Sequence, residues 1–174
     1  MKRRTQIISI ILHAVLLLTV YVFQGLIFPY LRLYGLAPLL LPIVSTGVAV
    51  YEGRFAGGVT GLFAGILCDV SFNEPAMVFT VLLTLTGLLV GTLADTVIMR
   101  GFATYFLSCV AVLAISAFAQ MFPIIFFEGV QPQQLLRTAL WQTVYSLVFT
   151  LPIWFSVRAL GKRAQRVSPS GRPL

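Results

Sequence analysis

Negative charge is the scarcest commodity in this sequence. Five aspartates and glutamates stand among 174 residues, against twelve lysines and arginines, and charged residues of both signs make up 10% of the chain. A water-soluble domain carries roughly 25%. Histidine occurs once and cysteine twice. A zinc site needs several Cys, His or acidic ligands at close spacing, and none are so spaced. Cys68 and Cys109 both lie in apolar runs, which points to packing rather than a disulfide. There is no GxSxG elbow, no HExxH pair and no P-loop. The acids are scattered, one to a loop or segment end, so a pair of catalytic carboxylates is not expected either. The expectation is a protein that is not an enzyme and takes no cofactor or metal.

What the chain has in abundance is apolar surface. Hydrophobic residues make up 59% of it, with a mean hydropathy of +0.97. A globule of this length cannot hide so much, so lipid must cover it. The basic excess does not read as a nucleic-acid signal. Lys2, Arg3 and Arg4 stand at one end, and Arg158, Lys162, Arg163, Arg166 and Arg172 at the other. Cations flanking apolar spans mark the cytoplasmic side of a membrane protein.

Six apolar segments cover residues 5–28, 37–51, 55–70, 75–99, 102–127 and 134–160. They predict an all-α integral membrane protein, a compact bundle of about six transmembrane helices over residues 1–160. A basic, disordered cytoplasmic tail over 161–174 is expected to follow, close to anionic lipid headgroups. The first segment reads as a retained span, since it is longer than a cleaved signal core and lacks a small-x-small site. The second and third are short for a spanning helix of roughly 20 residues. They are joined by YEGR alone, so a tight helical hairpin is expected, its ends shielded by neighbouring helices or one arm re-entrant. With both termini inside, ten cations fall on the cytoplasmic side and two, Arg32 and Arg137, outside.

Local signals fill in the turns. Asn73-Glu74-Pro75 and Gln131-Pro132 read as helix starts, while Pro123 and Pro152 predict kinks. His13 and Gln120 are expected to make single interhelical hydrogen bonds. Trp141 and Trp154, with Tyr21, Tyr30, Tyr34 and Tyr51, fit interfacial anchoring or packing.

The glycines carry the most information. Gly57, Gly61 and Gly65 recur every four residues and Asp69 follows at the same step. Gly87 and Gly91 repeat the spacing, and TGLFAGILCD from Thr60 matches TGLLVGTLAD from Thr86. In lipid, helices associate through close backbone contact, which a small-residue stripe permits. Two readings stand: ordinary small-residue packing, or the inverted repeat of a transporter. Asp69 closes a helix at its negative end, a placement costing about 0.3–1 kcal/mol. Water, Arg137 or a basic group on a partner is expected to compensate. Asp95 lies about a turn inside the fourth segment, a functional candidate or an acid paired with Arg54 or Arg100.

The stretch YEGRFAGGVTGLFAGILCDVSFNEPAMVFTVLLTLTGLLVG, residues 51–91, resembles the core of the MreD family of bacterial rod-shape-determining membrane proteins. Pro38, Glu52, Gly53, Gly57, Gly61, Gly65, Asp69, Pro75, Gly87 and Gly91 match that family's pattern in order. Ala76-Met77 departs from it, where many members have a glycine after the proline. The resemblance implies a non-enzymatic membrane scaffold of the cell-elongation machinery, supporting rod shape and peptidoglycan synthesis in the bacterial cytoplasmic membrane. Its implied partners are an MreC-like protein, MreB, a RodA-type glycosyltransferase and a penicillin-binding transpeptidase. The implied fold is similar to the S-components of energy-coupling-factor transporters, and a vitamin- or metal-ion-binding S-component is the alternative function. Gly57, Gly61, Gly65, Gly87 and Gly91 are the candidate packing or partner interface. Asp69, Asp95, Glu52 and Pro75 are the candidate functional positions.

Overall fold

A computed structural model of the chain describes residues 2–27, 38–72, 77–96, 101–128 and 132–167. Among them are seven α-helices and no strand: α1 (Lys2–Ile27), α2 (Leu40–Glu52), α3 (Arg54–Phe72), α4 (Val78–Thr96), α5 (Phe102–Glu128), α6 (Pro132–Val148) and α7 (Thr150–Val167). Within the described residues each of the six apolar segments carries a helix, the sixth carrying two. Val78–Thr96 and Phe102–Gln120 are long and apolar enough to cross a membrane, and the bent pair α6–α7 makes a third if taken as one span. The architecture is that of an all-α membrane protein.

The middle of the molecule is its shortest helix. Every residue of α2 from Leu40 to Val50 is buried. The segment LLPIVSTGVAV is apolar on all sides apart from small hydroxyls, the pattern of a helix with no face to show to solvent. Helices α1, α3, α4, α5 and α7 surround it. Thirteen residues reach only about 20 Å, too short for a hydrocarbon layer of about 30 Å. Neighbouring helices, not lipid, meet its ends. Ser146 of α6 accepts the Leu39 N–H at 3.0 Å where α2 begins. Gly53 closes it, with φ of 91° and its N–H bonded to Ala49 O at 3.1 Å. That φ lies where a side chain is strained, and it lets a single residue turn the chain from α2 into α3. The tight hairpin expected from YEGR is therefore present.

Pro152 does more than kink its helix. It has no N–H for the carbonyl four residues back, and its ring crowds that turn. The axis turns by 45° between α6 and α7. Phe149 N–H bonds instead to Ser146 O at 3.1 Å, and the Tyr105 hydroxyl donates to the Thr150 carbonyl at 3.4 Å. At Pro123, by contrast, α5 continues without a break.

Two boundaries depart from the sequence reading. Helix α4 starts at Val78 rather than at Pro75, after Met77 at φ 49°; Asn73, Glu74 and Pro75 lie outside the described residues. Helix α7 runs on to Val167, so the first part of the expected tail is helical. Its KRAQRV sequence contains good helix formers and no proline, and residues 168–174 lie outside the described residues. Helix α6 starts at Pro132, as the proline there predicts.

Gly47 lets α5 and α7 close on α2: a Cβ there would lie 3.2 Å from both Tyr105 Cε2 and Val157 Cγ2. Gly25 on α1 has nothing within 4 Å of the same position. Gly47→Leu is expected to destabilise the bundle by about 2 kcal/mol through overpacking, and Gly25→Leu by less than about 0.5 kcal/mol. Thermal unfolding in detergent measures both.

Candidate functional site

The glycine stripe of α3 lies against that of α4, and the two backbones touch. A Cβ on Gly57 would sit 2.7 Å from the Gly87 carbonyl oxygen and 2.6 Å from Ala49 Cβ. A Cβ on Gly87 would in turn strike the Gly57 carbonyl oxygen, and one on Gly61 the Leu83 carbonyl oxygen. At Gly65 the obstacle is Thr80 Cα, and at Gly91 it is Arg54 Cα. All five candidate glycines are buried along this one seam. Any side chain would have to push a helix backbone aside. The helix that the stripe receives belongs to the same chain.

The aspartates close the two ends of the seam. Asp69, 6% exposed near the end of α3, reaches the first turn of α4. Its Oδ1 accepts the Phe79 N–H at 2.9 Å; its Oδ2 accepts the Thr80 N–H at 2.9 Å and the Thr80 hydroxyl. Those amides are among the first four of a helix, which have no carbonyl partner within it. At the other end Asp95 Oδ2 accepts the N–H of Arg54, the first residue of α3, at 3.2 Å. A Cβ on Gly53 would come within 2.8 Å of the same oxygen. Corresponding residues of the two TGLxxGxLxD copies are 26 positions apart. The same step carries Gly53-Arg54 onto Phe79-Thr80. The pair is a near-twofold lock: each helix ends in an aspartate that caps the other. The charge at the negative end of α3 is met by the positive end of α4.

Four successive residues at the α2–α3 corner reach three other helices. Tyr51 Oη accepts the Trp154 Nε1–H of α7 at 2.6 Å. Glu52 Oε1 lies 3.5 Å from Nε2 of His13, an α1 residue only 1% exposed. Gly53 and Arg54 pack on Asp95 of α4. The pair His13–Glu52 gains an ionic component when the imidazole is protonated. Glu52 thus joins the corner to α1, a link that the sequence reading did not identify. Residue types alone give no signal for contacts such as Tyr51–Trp154, 103 positions apart.

Of the remaining candidates, Pro75 lies outside the described residues. Cys68 and Cys109 are free and buried. Among the described residues no three His, Cys, Asp or Glu side chains gather in a way that could hold a metal ion. Chemically, Asp69 and Asp95 hold backbone amides and fix the position of one helix against another. No family model, curated protein or solved structure matches this chain.

The two caps differ in depth. Asp69 is buried and serves three donors, whereas Asp95 is exposed. Asp69→Ala is expected to cost about 2 kcal/mol and Asp95→Ala about 1 kcal/mol. Equal losses in detergent unfolding would show that burial does not set the strength of the lock. At the middle of the seam, Gly61→Leu is expected to cost about 3 kcal/mol, because the obstacle is backbone.

Proposed function

We propose that this chain is a non-enzymatic membrane scaffold of the bacterial cell-elongation machinery. In this reading it crosses the cytoplasmic membrane six times, with both termini and the α2–α3 corner on the cytoplasmic side. The distribution of cations supports that orientation, ten inside against two outside. The observation that carries the function is where the matched residues lie. Glu52, Gly53, Gly57, Gly61, Gly65, Asp69, Gly87 and Gly91 all belong to the α2–α3 corner and the locked α3–α4 pair. Their side chains, or lack of them, set the shape of a rigid hairpin. Such a hairpin suits a protein that presents a fixed surface to an MreC-like partner. Through that partner it supports the RodA-type glycosyltransferase, the penicillin-binding transpeptidase and MreB.

Depletion is the direct test. Cells losing the protein are expected to round up and to lose the ordered pattern of wall insertion. The purified chain is expected to bring down the MreC-like protein, and Gly61→Leu to abolish that capture. Rod shape retained on depletion, or a stoichiometric vitamin or metal ion in the purified protein by mass spectrometry, would overturn the scaffold in favour of an S-component.

A further inference from the structure

One end of the bundle carries a row of aromatic rings that finishes in an arginine. Phe106 packs on Phe102 at 6.0 Å, Phe102 meets Trp154 edge-on at 5.2 Å, and Trp154 meets Phe155 at 4.7 Å. The guanidinium of Arg158 lies over the indole, 5.1 Å from its centroid. The indole is itself tethered, since its N–H donates to Tyr51 Oη. A stacked guanidinium has its planar fork of donors held in one orientation and only weakly hydrated, a good match for phosphate oxygens.

Two further observations define the occupant. The nearby carboxylates are engaged elsewhere: Glu52 with His13, and Asp95 with the first turn of α3. No carboxylate among the described residues pairs with Arg158 or with the exposed Arg54. Directly beneath the cation, apolar side chains lie open: Phe155 is 64% exposed, Leu151 53%, and Phe102 and Phe106 40% each. An occupant that satisfies both features is anionic at its head and hydrocarbon along its length.

We propose that Arg158, on its Trp154 platform between α5 and α7, binds the phosphate of an anionic phospholipid whose acyl chains lie along Phe102, Phe106, Leu151 and Phe155. The site rests on the membrane reading of the chain. It is a defined lipid position, distinct from any diffuse attraction of the basic tail.

The chain has two tryptophans, so Trp141→Phe leaves Trp154 as the sole reporter. That full-length variant is reconstituted in phosphatidylcholine bilayers containing a minor fraction of either dibrominated phosphatidylglycerol or dibrominated phosphatidylcholine, and tryptophan quenching is measured. The anionic lipid is expected to quench more, in line with an enrichment of about fivefold at a site with one cation. Arg158→Gln is expected to remove the excess and leave quenching by phosphatidylcholine unchanged. Equal quenching by both lipids would overturn the site and assign the cationic patch to an acidic protein segment. An excess that survives Arg158→Gln would also overturn it, by attributing the preference to overall charge. Quenching by neither lipid would overturn the membrane reading together with the site.

Discussion

Everything in this bundle depends on the backbone of α3 lying directly on the backbone of α4. Within lipid no hydrophobic effect drives two helices together, so the contact must be favourable through dispersion and polar satisfaction alone. Glycine at positions 57, 61, 65, 87 and 91 removes every side chain that would hold the axes apart. Close approach then brings each helix end within reach of the other's aspartate. The two features are interdependent. With a bulky residue in the seam, neither carboxylate would reach the amides it caps. Without the caps, amides at the start of each helix would lose the acceptor that the other helix supplies.

The locked pair also explains how α2 can be so short. A helix of thirteen residues has exposed polar ends wherever lipid surrounds it. Here α3 folds back on α2 through Gly53 alone, with Ala49 set against Gly57. Ser146 of α6 meets the other end. The break before Pro152 contributes as well, because it turns α7 back onto α2 so that Val157 packs at Gly47. A proline expected to kink a span thus shapes the wall around the central helix.

Much of this was readable in the residues. The six apolar segments, the hairpin at YEGR, the glycine stripe and the disturbance at Pro152 all follow from local spacing and backbone chemistry. So did the likeness of the two TGL segments, since identical spacing implies matching faces. Arg54 as a partner of Asp95 was readable, although the contact runs through its backbone amide; the partner of Asp69 was not. Asp69 stands at the unfavourable end of its own helix, and its compensation comes from the first turn of another helix, ten and eleven residues further on. The start of α4 at Val78 is set in the same way. Pro75 and Asn73 have the chemistry of a helix start, whereas the carboxylate that caps the helix lies on α3. The link between Glu52 and His13 joins residues far apart in the chain, which no local pattern encodes.

The difference between the two caps follows from connectivity. The lock is nearly twofold, yet Asp69 serves three donors and is buried, while Asp95 receives the Arg54 amide at an exposed position. Helix α3 begins one residue after α2 ends, and Gly53 already donates to Ala49 O and accepts from Gly57 N–H. Part of the polar requirement at that corner is therefore met by the turn itself. Helix α4 follows Met77 at φ 49°, and the amides of Phe79 and Thr80 are met by Asp69. Where the chain supplies its own turn, a shallow carboxylate is sufficient. At α4 the capping carboxylate is buried against the helix start. The two ends of the pair therefore differ in make-up: the Asp69 end holds the hairpin closed from a buried position, whereas the Asp95 end lies beside exposed cations and the aromatic row.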